Sequence, residues 1–424
     1  MRPNAPARPA PKRPSAVGRR ALVLGLGLSL LTAVLGPVPG ALAVDPAQLL
    51  ARKVGEGLQP ATPANPRETL QRRLDRLRER EGIPGVSVAI LFPDGTTWVG
   101  TSGFANVSTG ETVDPDTAFA IASISKTFTA ALIMALVDDR KVDLAAPVSR
   151  YLPELAIDRH VTVRMLLDHT SGLRDFFLDP RIDKALLADR GRTWDPNRSL
   201  RYVGKPYFKP GKGWHYSNTN YLLLGLIAER VGGRSLSGQL RSRFFVPLGL
   251  DHTFEQIHGS PAGPVAHGYR FDGAPTKLRP IDLSDGSRMA PFTSVITAAG
   301  AAGSIASTPS DLVHWVRALY TGAVLDPVSL DTMIGDVALT ADKGPAIPYG
   351  LGVQAVEFDG HPTLGHSGRL LGFRAVVRWL PVERIAIAVV TNQSRSDPSV
   401  VARSLLRLAL LRSMGGCLSC RDPM

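Results

Sequence analysis

Cysteine is nearly absent: the 424 residues contain two, Cys417 and Cys420, both in the terminal stretch GGCLSCRDPM. A glycine-flanked Cys-x-x-Cys at a chain end closes too small a loop for a disulfide to stabilise much. No strand-to-helix context supports a redox motif either, so residues 413–424 are expected to form a disordered tail. Aromatic residues are sparse, at 6%, and no basic run is interleaved with them. Zinc-finger spacing is missing as well. These absences argue against a nucleic-acid partner despite a formal charge of +12. Half of that excess sits in residues 1–43, where Arg2, Arg8, Lys12, Arg13, Arg19 and Arg20 occur with no Asp or Glu. No internal repeat is evident, and His-Glu-x-x-His or comparable ligand spacing is lacking, so neither a metal nor an organic cofactor is expected.

The longest apolar stretch, Ala21 to Gly36, is shorter than the ~20 residues that a membrane span needs. With a basic start before it and Ala41-Leu42-Ala43 after it, residues 1–43 read as a signal peptide. The Arg19-Arg20 pair permits a twin-arginine route. The expectation is an exported protein that touches the membrane only through this signal; an uncleaved anchor is the alternative. Residues 44–66, rich in Pro, Ala and Gly, read as a flexible linker. The remainder, 67–412, is long and apolar enough for one large domain with an insertion.

Within it, Leu70, Leu74 and Leu77 recur at helical spacing. Two β runs follow, joined by the hairpin signal Asp94-Gly95. Helices and loops dominate from about residue 142 to 300, with no convincing strand pair. Thr308, Pro309 and Asp311 mark a capped helix start. Three β runs (YGLGVQAVEF, GFRAVVRWL, RIAIAVVTNQ) and an amphipathic helix end the domain. The pattern predicts an α/β fold: an antiparallel sheet built from both ends of the chain and flanked by helices, with an inserted all-helical lobe.

Ser123 and Lys126 stand at i, i+3 at the head of the apolar run AIASISKTFTAALIMAL. On one helical face the amine can accept the hydroxyl proton, and the first-turn N–H groups favour an anion beside Ser123. Burial disfavours the lysine's charge, the condition for it to act as a base. Composition alone could supply such a spacing, and the bland reading is an N-cap serine followed by a snorkelling lysine. Two further motifs discriminate. Tyr216-Ser217-Asn218 is the sole Tyr-x-Asn, just before a helix, and His366-Ser367-Gly368 is the sole His-x-Gly, entering a β run.

In that order and context the three motifs resemble the active-site triplet of the penicillin-recognising serine hydrolases: AmpC-type β-lactamases, secreted D-alanyl-D-alanine carboxypeptidases and related esterases. Tyr-x-Asn with His-x-Gly is nearer to the carboxypeptidase and esterase branch. The stretches LLDHTSGL, YSNTNYLLLGLIAE and GHSGRLLGF are similar too, so the likeness runs from about Thr69 to Leu411. It implies a β-lactamase/transpeptidase-like fold that needs no cofactor. Ser123 would be the acylated nucleophile and Lys126 its partner. Tyr216 would be a phenolate-like proton carrier, lowered by Lys126 and His366, and Asn218 would orient the substrate amide. His366 would stand as a cation or donor in the pocket with Ser367 and Gly368 beside it. The backbone N–H groups of Ser123 and Arg369 would form the oxyanion hole.

The implied substrate is a small peptide or ester, with peptidoglycan stem peptides foremost, handled by a monomer. A carboxypeptidase should carry an arginine near the third motif for the terminal carboxylate. Gln354 stands there instead, leaving Arg369 or the more distant Arg288, and this departure opens the esterase and β-lactamase alternatives. A catalytically silent binder of peptidoglycan or a partner is the reading from another class. A Ser-His-Asp hydrolase built on Asp168-His169-Thr170-Ser171 lacks the Gly-x-Ser-x-Gly elbow, since Arg369 ends Gly365-His366-Ser367-Gly368. Those residues are expected to cap a helix.

Overall fold

The computed structural model describes residues 69–273, 279–335, 337–340 and 348–415. The expected signal peptide and linker and the Cys417–Cys420 pair therefore lie outside the described residues. The leucine spacing forms helix α1, Leu70–Glu81, with Leu70, Leu74 and Leu77 buried, Thr69 as N-cap and Gly82 closing it in the left-handed region.

Strands β1 (Gly85–Leu91) and β2 (Thr97–Asn106) pair antiparallel as the hairpin that Asp94-Gly95 signals, with Gly95 at φ 89°. The short β3 (Glu111–Thr112) extends them. From the other end of the chain come β9 (Ala338–Leu339), β10 (Pro348–Tyr349), β11 (Gln354–Phe358), β12 (His361–Leu370), β13 (Phe373–Leu380) and β14 (Ile385–Thr391). One nine-stranded sheet results, in the order β3-β2-β1-β14-β13-β12-β11-β10-β9. The termini meet where β1 pairs with β14, Val88 opposite Val389.

Both strands of that central pair are buried on both faces, because helices cover each side. Helix α1 and the terminal helix α5 (Pro398–Gly415) cover the outer face, with Val86, Val88, Ile387 and Val389 packed against Leu74, Leu405 and Ala409. Helix α4 (Pro309–Tyr320) covers the inner face; Thr308 caps it and accepts from the Asp311 N–H at 3.2 Å.

Helix α2 (Ser125–Asp138) runs through the inner core, and twelve of its residues are buried. It has no wet face because it packs on α3 (Asn218–Gly232), on α4 and on the segment 300–302. Phe128 stacks on Trp315 at 4.0 Å. Its polar side chains are satisfied inside the core: Thr129 donates to Ala301 O, Ser125 accepts from Ile305 N–H, and Thr127 accepts from Trp315 Nε1.

The insertion is less purely helical than the sequence pattern predicts. Strands β6 (Tyr269–Asp272) and β7 (Arg279–Asp282) form a separate hairpin. Strand β5 (Phe254–Glu255) joins β4 (Phe119–Ala120) and β8 (Ile305–Ser307) in a second sheet. Two- to four-residue strands are too short to show an alternating pattern.

Candidate active site

Ser123 lies in a 3-10 turn, Ala122–Ile124, that leads directly into α2. Ala122 is held at φ 49°, a left-handed conformation that costs on the order of 1–3 kcal/mol and marks a turn fixed by its surroundings. The surroundings include strand β12. A Cβ added at Gly368 would collide with the Ile121 carbonyl oxygen and would sit 3.3 Å from Ala122 Cβ. Glycine in the His-x-Gly motif is thus required for the close approach of β12 to the nucleophile turn.

Strand β11 pairs with β12 only as far as Gly365. Beyond it, the Ser367 N–H turns to the β11 side and donates to Gln354 Oε1 at 3.0 Å. The Arg369 N–H, two residues on, is turned to the same side by strand alternation. That is the orientation an oxyanion donor on this strand needs.

Lys126 is fully buried. Its Nζ donates to Ser123 Oγ at 3.1 Å, Asn218 Oδ1 at 2.8 Å and Ala302 O at 2.8 Å. Three acceptors match the three hydrogens of an ammonium, yet desolvation lowers its pKa from 10.5 to about 7, against the opposing field of Asp175. When the amine is neutral, Asn218 and Ala302 hold its two hydrogens and its lone pair is left for Ser123. The sequence pair is a base poised on a hydroxyl, and the snorkelling alternative fails because the ammonium has no path to water.

Asn218, the first residue of α3, is itself oriented: its Nδ2 donates to Asp175 Oδ2 at 2.8 Å, which turns Oδ1 to Lys126. Asp175 is buried, and burial pushes its carboxyl up while the Phe177 N–H and Lys126 hold it down. Asp175 was not singled out from the sequence; its position in LRDFFLD carries no spacing signal.

Tyr216 faces the site, with Lys126 Nζ 5.0 Å from its ring centroid. Its ring is partly exposed and its hydroxyl is buried without a hydrogen bond of good geometry, although Ser123 lies beside it. Burial pushes its pKa well up. This corrects the phenolate expectation: Tyr216 is a neutral phenol, because desolvation, reinforced by the Asp175 charge, outweighs the Ser123 hydroxyl beside it.

His366 is corrected in the same way. It is buried, and desolvation together with Lys126 lowers its pKa to about 3, so it is a neutral ring and no cation. Both nitrogens are occupied within the protein, Nδ1 with Ser367 O at 2.6 Å and Nε2 with Tyr349 Oη at 3.0 Å. Ser367 and Arg369 are exposed on β12, and Arg288 is exposed on the loop before Phe292.

Arg378 was not foreseen at the site. Gln354, Gly365 and Arg378 stand side by side across β11, β12 and β13. Gly365 has no side chain, so the Arg378 Nη2 reaches over it to Gln354 Oε1 at 2.9 Å. The stretch Asp168–Ser171 follows the short helix Val163–Leu167 and forms no catalytic relay: Ser171 Oγ donates to Asn220 Oδ1 at 2.7 Å, and Asp168 holds Thr170. His169, however, is buried against Tyr216 with centroids 4.4 Å apart, closer to the site than a helix cap implies.

Residues 70–412 match the Beta-lactamase family. The chain belongs to that family. Penicillin-binding protein 4 of Amycolatopsis lactamdurans is 32% identical over 345 residues, covering 76% of this chain and 84% of that protein. A D-aminopeptidase of Brucella anthropi is 30% identical over 330 residues, 77% of this chain and 59% of its own length. The crystal structure of D-amino acid amidase from Ochrobactrum anthropi SV3 complexed with L-phenylalanine superposes with a TM-score of 0.70 at 28% identity, over 81% of this chain and 98% of that one. This beta-lactamase-family chain is accordingly a serine hydrolase with the penicillin-recognising fold read from its motifs.

Proposed function

We propose that the protein is an exported serine hydrolase that forms an acyl-enzyme at Ser123 and releases D-alanine from peptides ending in D-alanyl-D-alanine. The observation that carries the acyl-enzyme chemistry is the Ser123–Lys126 contact of 3.1 Å with the lysine shifted to about 7. As Ser123 Oγ attacks the scissile carbonyl, its proton passes to neutral Lys126. The tetrahedral oxyanion is received by the Ser123 and Arg369 N–H groups. When the C–N bond breaks, the Tyr216 phenol protonates the leaving amine and is replenished by the Lys126 ammonium. Water then attacks the ester by the reverse proton path. The exposed Arg369 beside Ser367 supports recognition of a terminal carboxylate.

A second reading, hydrolysis of D-amino acid amides or esters that lack a terminal carboxylate, is favoured by Gln354. Its Oε1 is taken by Ser367 and Arg378, so the amide offers a neutral N–H donor where a guanidinium was expected. Comparing D-alanine release from diacyl-Lys-D-Ala-D-Ala with hydrolysis of D-alanine amide and a p-nitrophenyl ester separates the two. Exclusive turnover of the amide or ester would discard the carboxypeptidase reading.

A further inference from the structure

Behind the catalytic groups runs a buried chain of hydrogen bonds that the acyl-transfer steps do not use. His169 Nδ1 lies 3.2 Å from both the Ser217 N–H and Asn220 Nδ2. The backbone N–H can only donate, and the Asn220 amide is oriented because its Oδ1 accepts from Ser171. Nδ1 of His169 is therefore an acceptor, and the proton of the neutral ring sits on Nε2. That nitrogen is 3.3 Å from Tyr349 Oη, which is 3.0 Å from His366 Nε2. At the far end His366 Nδ1 faces the Ser367 carbonyl oxygen at 2.6 Å and must donate to it, so Nε2 of His366 accepts from Tyr349. One proton arrangement satisfies every member, and it requires both imidazoles to be neutral. A second proton on His169 would sit on Nδ1, facing the Ser217 N–H, and one on His366 would sit on Nε2 and take away the acceptor of the Tyr349 hydroxyl.

The chain's two ends are the backbone of Ser217, between Tyr216 and Asn218, and the backbone of Ser367, two residues before the Arg369 N–H. We propose that His169 and Tyr349 are positioning residues that tie the Tyr216–Asn218 turn to strand β12, holding the phenol and the oxyanion strand at a fixed separation around Ser123. His169, Tyr349 and His366 are all buried, and His169 is kept at φ 66°, a conformation maintained only where the surroundings over-determine it. The titratable groups facing the chain are Lys126 from α2, Tyr216, Tyr221 from α3, His215, Tyr320 from α4 and Arg378 from β13. Burial and the Lys126 charge keep both rings neutral.

This inference rests on the acyl-enzyme reading only for its kinetic test. Two-dimensional ¹⁵N–¹H spectra of the full chain labelled at histidine read the tautomers directly. The expected result is His366 protonated on Nδ1 and His169 on Nε2, both neutral from pH 5 to 8; the opposite tautomer or a cationic ring at pH 7 overturns the chain. In Tyr349→Phe the His366 ring should stay neutral, because burial and Lys126 remain, but its Nε2 resonance should shift on losing the Tyr349 donor. Ester hydrolysis by Tyr349→Phe should lose about 10- to 100-fold in kcat with KM changed by less than about threefold, as expected for misplaced catalytic groups. His169→Asn, which tolerates the left-handed backbone and keeps an acceptor for Ser217, should retain more activity than His169→Ala. Wild-type kcat and an unshifted His366 Nε2 resonance in Tyr349→Phe would overturn the positioning role. A wild type that turns over neither the peptide nor the ester yet shows the expected tautomers would instead remove the acyl-enzyme reading.

Discussion

Lys126 shows how a single side chain is set against the stability of the fold. In the unfolded chain its amine titrates at the ordinary 10.5, whereas burial brings it to about 7. Between those values the unfolded state binds more protons, so this group's contribution to stability rises with pH through that window, and its full penalty is present below pH 7. Lys126→Met should therefore melt at a higher temperature than wild type at pH 7, with the advantage shrinking toward pH 10, while acylation falls by at least about a thousandfold. Calorimetry across pH and labelling by a serine-directed phosphonate check both halves. Asp175 opposes the shift, since its carboxylate raises the lysine's pKa. In wild type, acylation should rise with pH through about 7. In Asp175→Asn that midpoint should move to lower pH, and a midpoint moving upward would show that Asp175 does not act on Lys126 in this way.

Among the elements, α2 and β12 bear the site, and each depends on a contact that its own sequence pattern does not reveal. Helix α2 is anchored by Phe128, stacked on Trp315 and edge-on to Phe245. Phe128→Ala should cost about 3–5 kcal/mol by urea unfolding, as for other large core aromatics. Strand β12 is brought to the nucleophile turn by Gly368. Gly368→Ala forces its methyl against the Ile121 carbonyl, a strain of typically 1–3 kcal/mol. Its larger effect should be on chemistry: displacement of the Arg369 N–H from Ser123 lowers acylation by about a hundredfold. Phosphonate labelling at wild-type rate in a folded Gly368→Ala protein would contradict the close approach.

For the molecule as a whole, what was legible in the sequence follows from how locally each feature is encoded. The leucine spacing of α1, the Asp94-Gly95 hairpin and the Thr308 cap each lie within one element and appear as expected. Ser123, Lys126, Tyr216 and His366 were legible because three short motifs could be read together, and the fold gathers them. Their protonation was not. The phenolate and imidazolium expectations counted neighbouring charges, whereas desolvation decides both groups, and burial is a property of the completed core. Asp175, His169, Tyr349 and Arg378 were missed or misplaced because each acts through a partner far along the chain; Tyr349 and His169 are 180 residues apart. The short strands β5, β6 and β7 gave no period to read.

The central claim is that Ser123 is the nucleophile of an acyl-enzyme. Intact-mass spectrometry after incubation with a penicillin or an alkyl phosphonate tests it most directly. Wild type should gain the mass of one inhibitor adduct, mapped by peptide digestion to Ser123, and Ser123→Ala should gain none. A wild-type protein that stays unmodified by both reagents, or an adduct that survives in Ser123→Ala, would contradict the assignment.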